Sequence, residues 1–186
     1  MKNQDKSHLL DCEYETESID LRVRVAEVTD SRAVIAAIEQ IREETEFLTL
    51  DEGRDTYAPQ KQCELIQTYR QSPNSIMLVA EVDDQIVGLA NLAEFPGNRQ
   101  KHIAELGIGI VEEYWGYGIG TIMLQSLLEF AQNSGLEMIT LEVVDQNQRA
   151  IALYERFGFK TVGHLNKRLK VGDSYFNSLM MELEVD

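Results

Sequence analysis

Three glycines at alternate positions, Gly116, Gly118 and Gly120, stand between an apolar run and a stretch of apolar residues at helical spacing. The β-branched segment Leu106-Gly107-Ile108-Gly109-Ile110-Val111 reads as a strand, and Ile122 to Ala131 reads as a helix. A strand, a glycine loop and a helix bring free backbone N–H groups and the positive end of a helix dipole to one point, which is chemistry for holding a phosphate. Glycine in such a loop permits φ > 0 and lets the backbone approach the anion without a Cβ in the way. Two common phosphate loops are excluded by spacing. A Walker A loop needs a Lys directly after its last glycine, and Thr121 follows Gly120. A Rossmann fingerprint needs a third glycine three residues after Gly118, where Thr121 again stands. An x-x-Gly-x-Gly loop is left, with a tight turn before a buried helix as its competing reading.

A second segment adds specificity. Met138 to Val144 is another β-branched strand, followed by Asn147, Ala150, Leu153, Tyr154, Gly158 and Phe159 in the order Asn-x-x-Ala-x-x-Leu-Tyr-x-x-x-Gly-Phe. The two motifs, one helix and one strand apart, resemble the GNAT superfamily of acetyl-CoA-dependent N-acetyltransferases over roughly residues 20 to 185. A bacterial branch with a similar Tyr114-Trp115-Gly116 opening and a closing segment like that from Gly172 through Tyr175 to Met181 looks most similar. Trp115 stands where much of the family has Gln or Arg, and Asn177 where many relatives have an acid.

The resemblance implies an α/β fold: a GNAT-like mixed, mostly antiparallel central sheet with a splayed strand pair, flanked by helices on both faces. It implies acetyl-CoA as co-substrate, no metal, an amine acceptor and a homodimer. The pyrophosphate would lie on the main chain of Trp115, Gly116, Tyr117, Gly118, Ile119, Gly120 and Thr121. The pantetheine arm would run along Ile108, Ile110 and Val111 like an added strand, which requires the two central strands to part beyond Ile110. A bulge at Gly107 or Gly109 would be a device for that parting. Asn147 is placed as an N-cap by its own chemistry, and the resemblance adds an amide contact to the pantetheine or the neighbouring chain.

Tyr154 is given the role of donating a hydrogen bond or proton to the departing thiolate; on spacing alone it would be core packing. The acceptor amine would attack the thioester directly, without a covalent enzyme intermediate. An alkylamine must first lose a proton at a cost of about 4 kcal/mol at neutral pH. Glu105, just before the parting strands, is the candidate base acting through water, with Glu94 and His102 as runners-up. A non-catalytic acyl-CoA-binding or regulatory domain is the alternative function.

The surrounding sequence frames these sites. Residues 21–186 read as one domain, and residues 1–20, with five acids after Leu10, as a polar tail or leader. The order along the chain reads β-α-α-β-β-β-α-β-α-β-β, with the link from Phe47 to Pro59 broken by Gly53 and Pro59. A net charge of −15 argues against nucleic acid or an anionic membrane as partner. The chain has no apolar run of membrane-spanning length. Cys12 and Cys63 are too few for a disulfide framework, which fits a reducing cytoplasm. His8, His102 and His164 lack metal-ligand spacing.

Overall fold

A computed structural model describes residues 11–15, 19–47 and 58–185. Eight strands form one sheet in the order β1-β2-β3-β4-β5-β6-β8-β7. They are β1 (Asp11–Glu15), β2 (Asp20–Val25), β3 (Ile76–Val82), β4 (Gln85–Glu94), β5 (Ile103–Ile110), β6 (Met138–Val144), β7 (Lys160–Val171) and β8 (Ser174–Glu184). The helices are α1 (Ser31–Glu44), α2 (Pro59–Gln71), α3 (Ile119–Gln132) and α4 (Gln148–Arg156). Every neighbouring pair is antiparallel except β5 and β6.

Helices cover both faces, and the strand sequences show why. β3 reads Ile-Met-Leu-Val-Ala-Glu-Val, apolar on both sides of the pleat. Ile76, Leu78 and Ala80 join a core with Leu124 and Leu127 of α3 and Ile151 and Tyr154 of α4. Met77 and Val79 join a second core with Val34 of α1 and Ile66 of α2. Pro59 is the first residue of α2, where its missing N–H costs nothing. It begins the helix it was expected only to precede.

Two sequence expectations need revision, the polar tail and the β5 bulge. Within the segment read as a polar tail, Asp11–Glu15 pair with β2, with Asp11 opposite Arg24. The Asp11 carboxylate also takes both Nε and Nη2 of Arg22 at 2.8 Å. Asp30 does not cap α1 with its side chain; it accepts from Arg24 at 2.6 Å and from the Glu27 amide at 2.7 Å. The β4–β5 ladder runs from Gly88–Ile110 to Glu94–Ala104 without a register shift, so neither Gly107 nor Gly109 is a bulge. Close packing accounts for both glycines. A Cβ on Gly107 would lie 2.8 Å from Asn91 Oδ1, and one on Gly109 would lie 3.3 Å from Ile41 of α1. Of the Phe47–Pro59 link, residues 48–57 lie outside the described residues.

Candidate active site

β5 and β6 pair only at Ile103–Met138, Ala104–Ile139 and Glu105–Thr140. β5 nevertheless continues to Ile110 on β4, and β6 continues to Val144 on β8. The strands therefore part directly after Glu105, five residues earlier than the expected opening beyond Ile110. Which backbone groups face the gap follows from ladder alternation. Phe95 N donates to Ile103 O and Val111 N to Val87 O, so the odd-numbered residues of β5 bond to β4. Ile108 and Ile110 then turn their main-chain groups toward β6, with no strand there to meet them. The Ile110 carbonyl already accepts from the Trp115 indole Nε1 at 2.7 Å. The Ile108 N–H and C=O and the Ile110 N–H are left for a thin polar chain lying in the gap. The amide of Val111 is spent on β4, which removes its expected main-chain donation to the pantetheine.

At the wide end of the gap, a 3-10 turn at Glu112–Tyr114 leads into the glycine loop. Gly116 (φ 97°) and Gly118 (φ 83°) are left-handed, a conformation that suits glycine, and a Cβ on either would meet nothing within 4 Å. The loop is thus open to a ligand. Gly118 caps α3, and its carbonyl accepts from both Thr121 and Ile122. Thr121 therefore has no free amide for a phosphate, whereas no carbonyl among the described residues takes the amides of Gly116 through Gly120. Gly120 lies where its Cβ would come within 3.3 Å of Ile110 and 3.4 Å of Leu153, so α3 starts tight against β5 and α4.

α4 carries groups that sequence spacing did not single out. Arg149 stacks over the Trp115 ring at 5.1 Å, and Arg156 donates to Thr121 Oγ1 at 2.6 Å. Both cations stand beside the glycine loop, where they favour an anion. Their i and i+7 spacing on α4 was legible, but not the side of the helix that meets the loop. Asn147 Oδ1 accepts from Ala150 N at 3.1 Å, which is the capping role read from its residue type. Tyr154 is 7% exposed and packs on Phe159 at 5.8 Å between ring centres. Burial pushes its phenol up to about 12.

Glu105 is exposed and stands at the closed end of the gap, on the face covered by α1 and α2. On that face Asn91 donates to the Tyr69 hydroxyl at 3.0 Å. Burial, and then the charge of Glu105, push the Tyr69 phenol up to about 12. Glu94 is on the other face: it pairs with Ala104, which lies in the α3 and α4 core. His102 precedes β5, where its carbonyl accepts from Glu137 and Met138. Of the three candidate bases, only Glu105 borders the gap on the open α1/α2 side. Among the described residues, no group of three His, Cys, Asp or Glu side chains is placed to hold a metal.

The sheet is opened at its one parallel seam, with a glycine loop at the mouth of the gap. The family profile described as acetyltransferase (GNAT) family matches residues 35–159, and the chain belongs to that family. An N-alpha-acetyltransferase of Sulfurisphaera tokodaii is 37% identical over 95 residues, 45% of this chain and 56% of its own length. N-acetyltransferase 8B of Homo sapiens is 26% identical over 102 residues, 54% of this chain and 45% of its own length. The chain spans about half the length of these two curated relatives. The acetyltransferase of GNAT family from Streptococcus pneumoniae superposes with a TM-score of 0.84 at 28% identity, over 89% of this chain and 99% of that one. The yncA protein of Salmonella typhimurium, solved with its cofactor acetyl-CoA, gives a TM-score of 0.79 at 18% identity, over 89% of this chain and 94% of that one. At that identity it speaks for the fold.

Proposed function

We propose that this protein transfers the acetyl group of acetyl-CoA to a primary amine by direct attack on the thioester. The observation that carries the reading is the early parting of β5 from β6, with the Ile108 N–H and C=O and the Ile110 N–H unclaimed in the gap and unclaimed amides of Gly116 through Gly120 at its mouth. The glycine loop and the start of α3 would hold the pyrophosphate, helped by Arg149 and Arg156. Ile108 and Ile110 would bond the pantetheine as a neighbouring strand does. Glu105, through a water, would take the proton from the acceptor ammonium. The amine nitrogen then bonds to the acetyl carbon while the carbon–sulfur bond breaks. Tyr154 would donate a hydrogen bond to the leaving sulfur. A reducing cytoplasm and a homodimer complete the reading, the first from the two free cysteines, Cys12 and Cys63, and the second from family resemblance.

The test has two parts. A ligand that binds only the folded state at 100 times its Kd adds about 2.7 kcal/mol, so acetyl-CoA should raise Tm by several degrees. Adding a panel of amines with thiol detection should then release coenzyme A. Absence of any Tm shift removes the cofactor site. A shift without thiol release across the panel leaves a binding domain that does not turn over.

A further inference from the structure

The α1/α2 face of the gap carries a second charged group beyond Glu105. Glu142 lies two residues past Thr140 on β6, across the gap from Gly107. It faces away from Leu141 and Val143, which belong to the α3 and α4 core. Its side chain is 12% exposed, and both carboxylate oxygens accept from Arg168 Nε at 3.0 Å. That contact spends Nε alone. Neither Nη of Arg168 has a hydrogen-bond partner among the described residues, and the side chain is 55% exposed. A guanidinium anchored at Nε keeps its two Nη groups as a planar donor pair, which suits a carboxylate.

β7 carries Lys160, Lys167, Arg168 and Lys170 without one Asp or Glu, in a chain of net charge −15. Lys167 and Lys170 both lie near the Tyr175 ring, at 5.1 and 5.6 Å, and Tyr175 alternates with Phe176 on β8, so these two cations sit on the face opposite Glu142. The Glu142 face includes Ser178, opposite Val144; Ser178 is fully buried and its Oγ has no partner among the described residues. The face is therefore polarised, with the Glu105 carboxylate at the seam and the Arg168 guanidinium across the gap.

We propose that the acceptor is an aminocarboxylate, its amine placed beside Glu105 and its carboxylate received by the Nη groups of Arg168. Glu142 is then a positioning residue that acts through Arg168. This inference rests on the acetyl-transfer reading. Strand spacing and rise put the Glu105 and Glu142 Cα atoms at least about 8 Å apart. That separation suits a base that reaches the amine through water.

The experiment compares aminocarboxylates of increasing chain length with their carboxamides and with the amines lacking the acid, in wild type, R168M, R168K and E142Q. Wild type should use the best acid roughly 10- to 100-fold better, in kcat/KM, than its amide. R168M should raise KM for the acid and erase its preference over the amide. R168K should recover part of the preference, and E142Q should weaken it. An unchanged acetyl-CoA Tm shift certifies that each variant is folded. Equal or better use of the amides by wild type overturns the inference while leaving acetyl transfer intact. A preference that survives in R168M overturns the role of Arg168. No turnover with any amine removes the acetyl-transfer reading and this inference with it.

Discussion

Burial of Tyr154 has two consequences for a phenol. It keeps the hydroxyl protonated across the working pH range, because the neutral form is the one favoured out of water. It also makes full proton release harder: from a phenol at about 12 to a thiolate of ordinary pKa near 8.5, transfer runs uphill by about 5 kcal/mol. Hydrogen-bonding to the leaving sulfur is therefore the better-supported action. Tyr154→Phe should lower kcat roughly 10- to 100-fold, the worth of a hydrogen bond to a charged group, with KM for acetyl-CoA nearly unchanged. Since the folded pKa lies above the ordinary 10, the stability linked to this proton is intact below pH 10 and disappears as pH rises through about 12. No alkaline limb of the rate profile below pH 10 should vanish in the Phe variant. The residue type and its motif made Tyr154 visible in the sequence. The Glu142–Arg168 and Trp115–Ile110 contacts were not visible, because each depends on how a bulge or loop turns one side chain over another strand.

Among the elements, the glycine loop is the most demanding. Gly118→Ala would force an alanine to φ 83°, a strain of about 1–2 kcal/mol, and would set a methyl group over the amides offered to the phosphate. The expected result is a Tm lower by a few degrees and a much larger loss of acetyl-CoA affinity, measured by calorimetry on the folded variant. A proportionate loss in both would reduce Gly118 to a structural turn. Loop, α3, β6 and α4 were legible because periodicity and glycine spacing act locally. β1 was missed because the acids of Asp11-Cys12-Glu13-Tyr14-Glu15 read as a solvated tail, although they alternate with apolar residues; the ion pair that holds the strand, Asp11 with Arg22 of β2, forms only once the two strands meet. The bulge expected in β5 failed for a related reason. The room Gly107 and Gly109 leave is taken by Asn91 and Ile41, which are distant in sequence.

At the scale of the molecule, a chain of net charge −15 must bind a polyanionic thioester without long-range help. Attraction is confined to backbone donors, a helix end and two arginines within about one Debye length at physiological salt. Acetyl-CoA affinity should therefore hold or improve between low and physiological ionic strength, as screening removes repulsion. A steep weakening, measured by calorimetry across a salt series, would show that a wider basic field does the work. The overall α/β arrangement was legible from element order and from the two motifs. The point where the sheet opens was not, because the apolar run from Leu106 to Val111 begins just past it and stays paired to β4 throughout, so nothing in its residue types marks where β6 leaves. That point has a consequence for local opening. Only three residue pairs join the two halves of an eight-stranded sheet, so the amides of Ile108 and Ile110 sit mid-sheet yet are solvated like those of a rim strand. They should exchange their hydrogens with water far faster than Leu78 two strands away, and slow toward its rate only when something lies in the furrow.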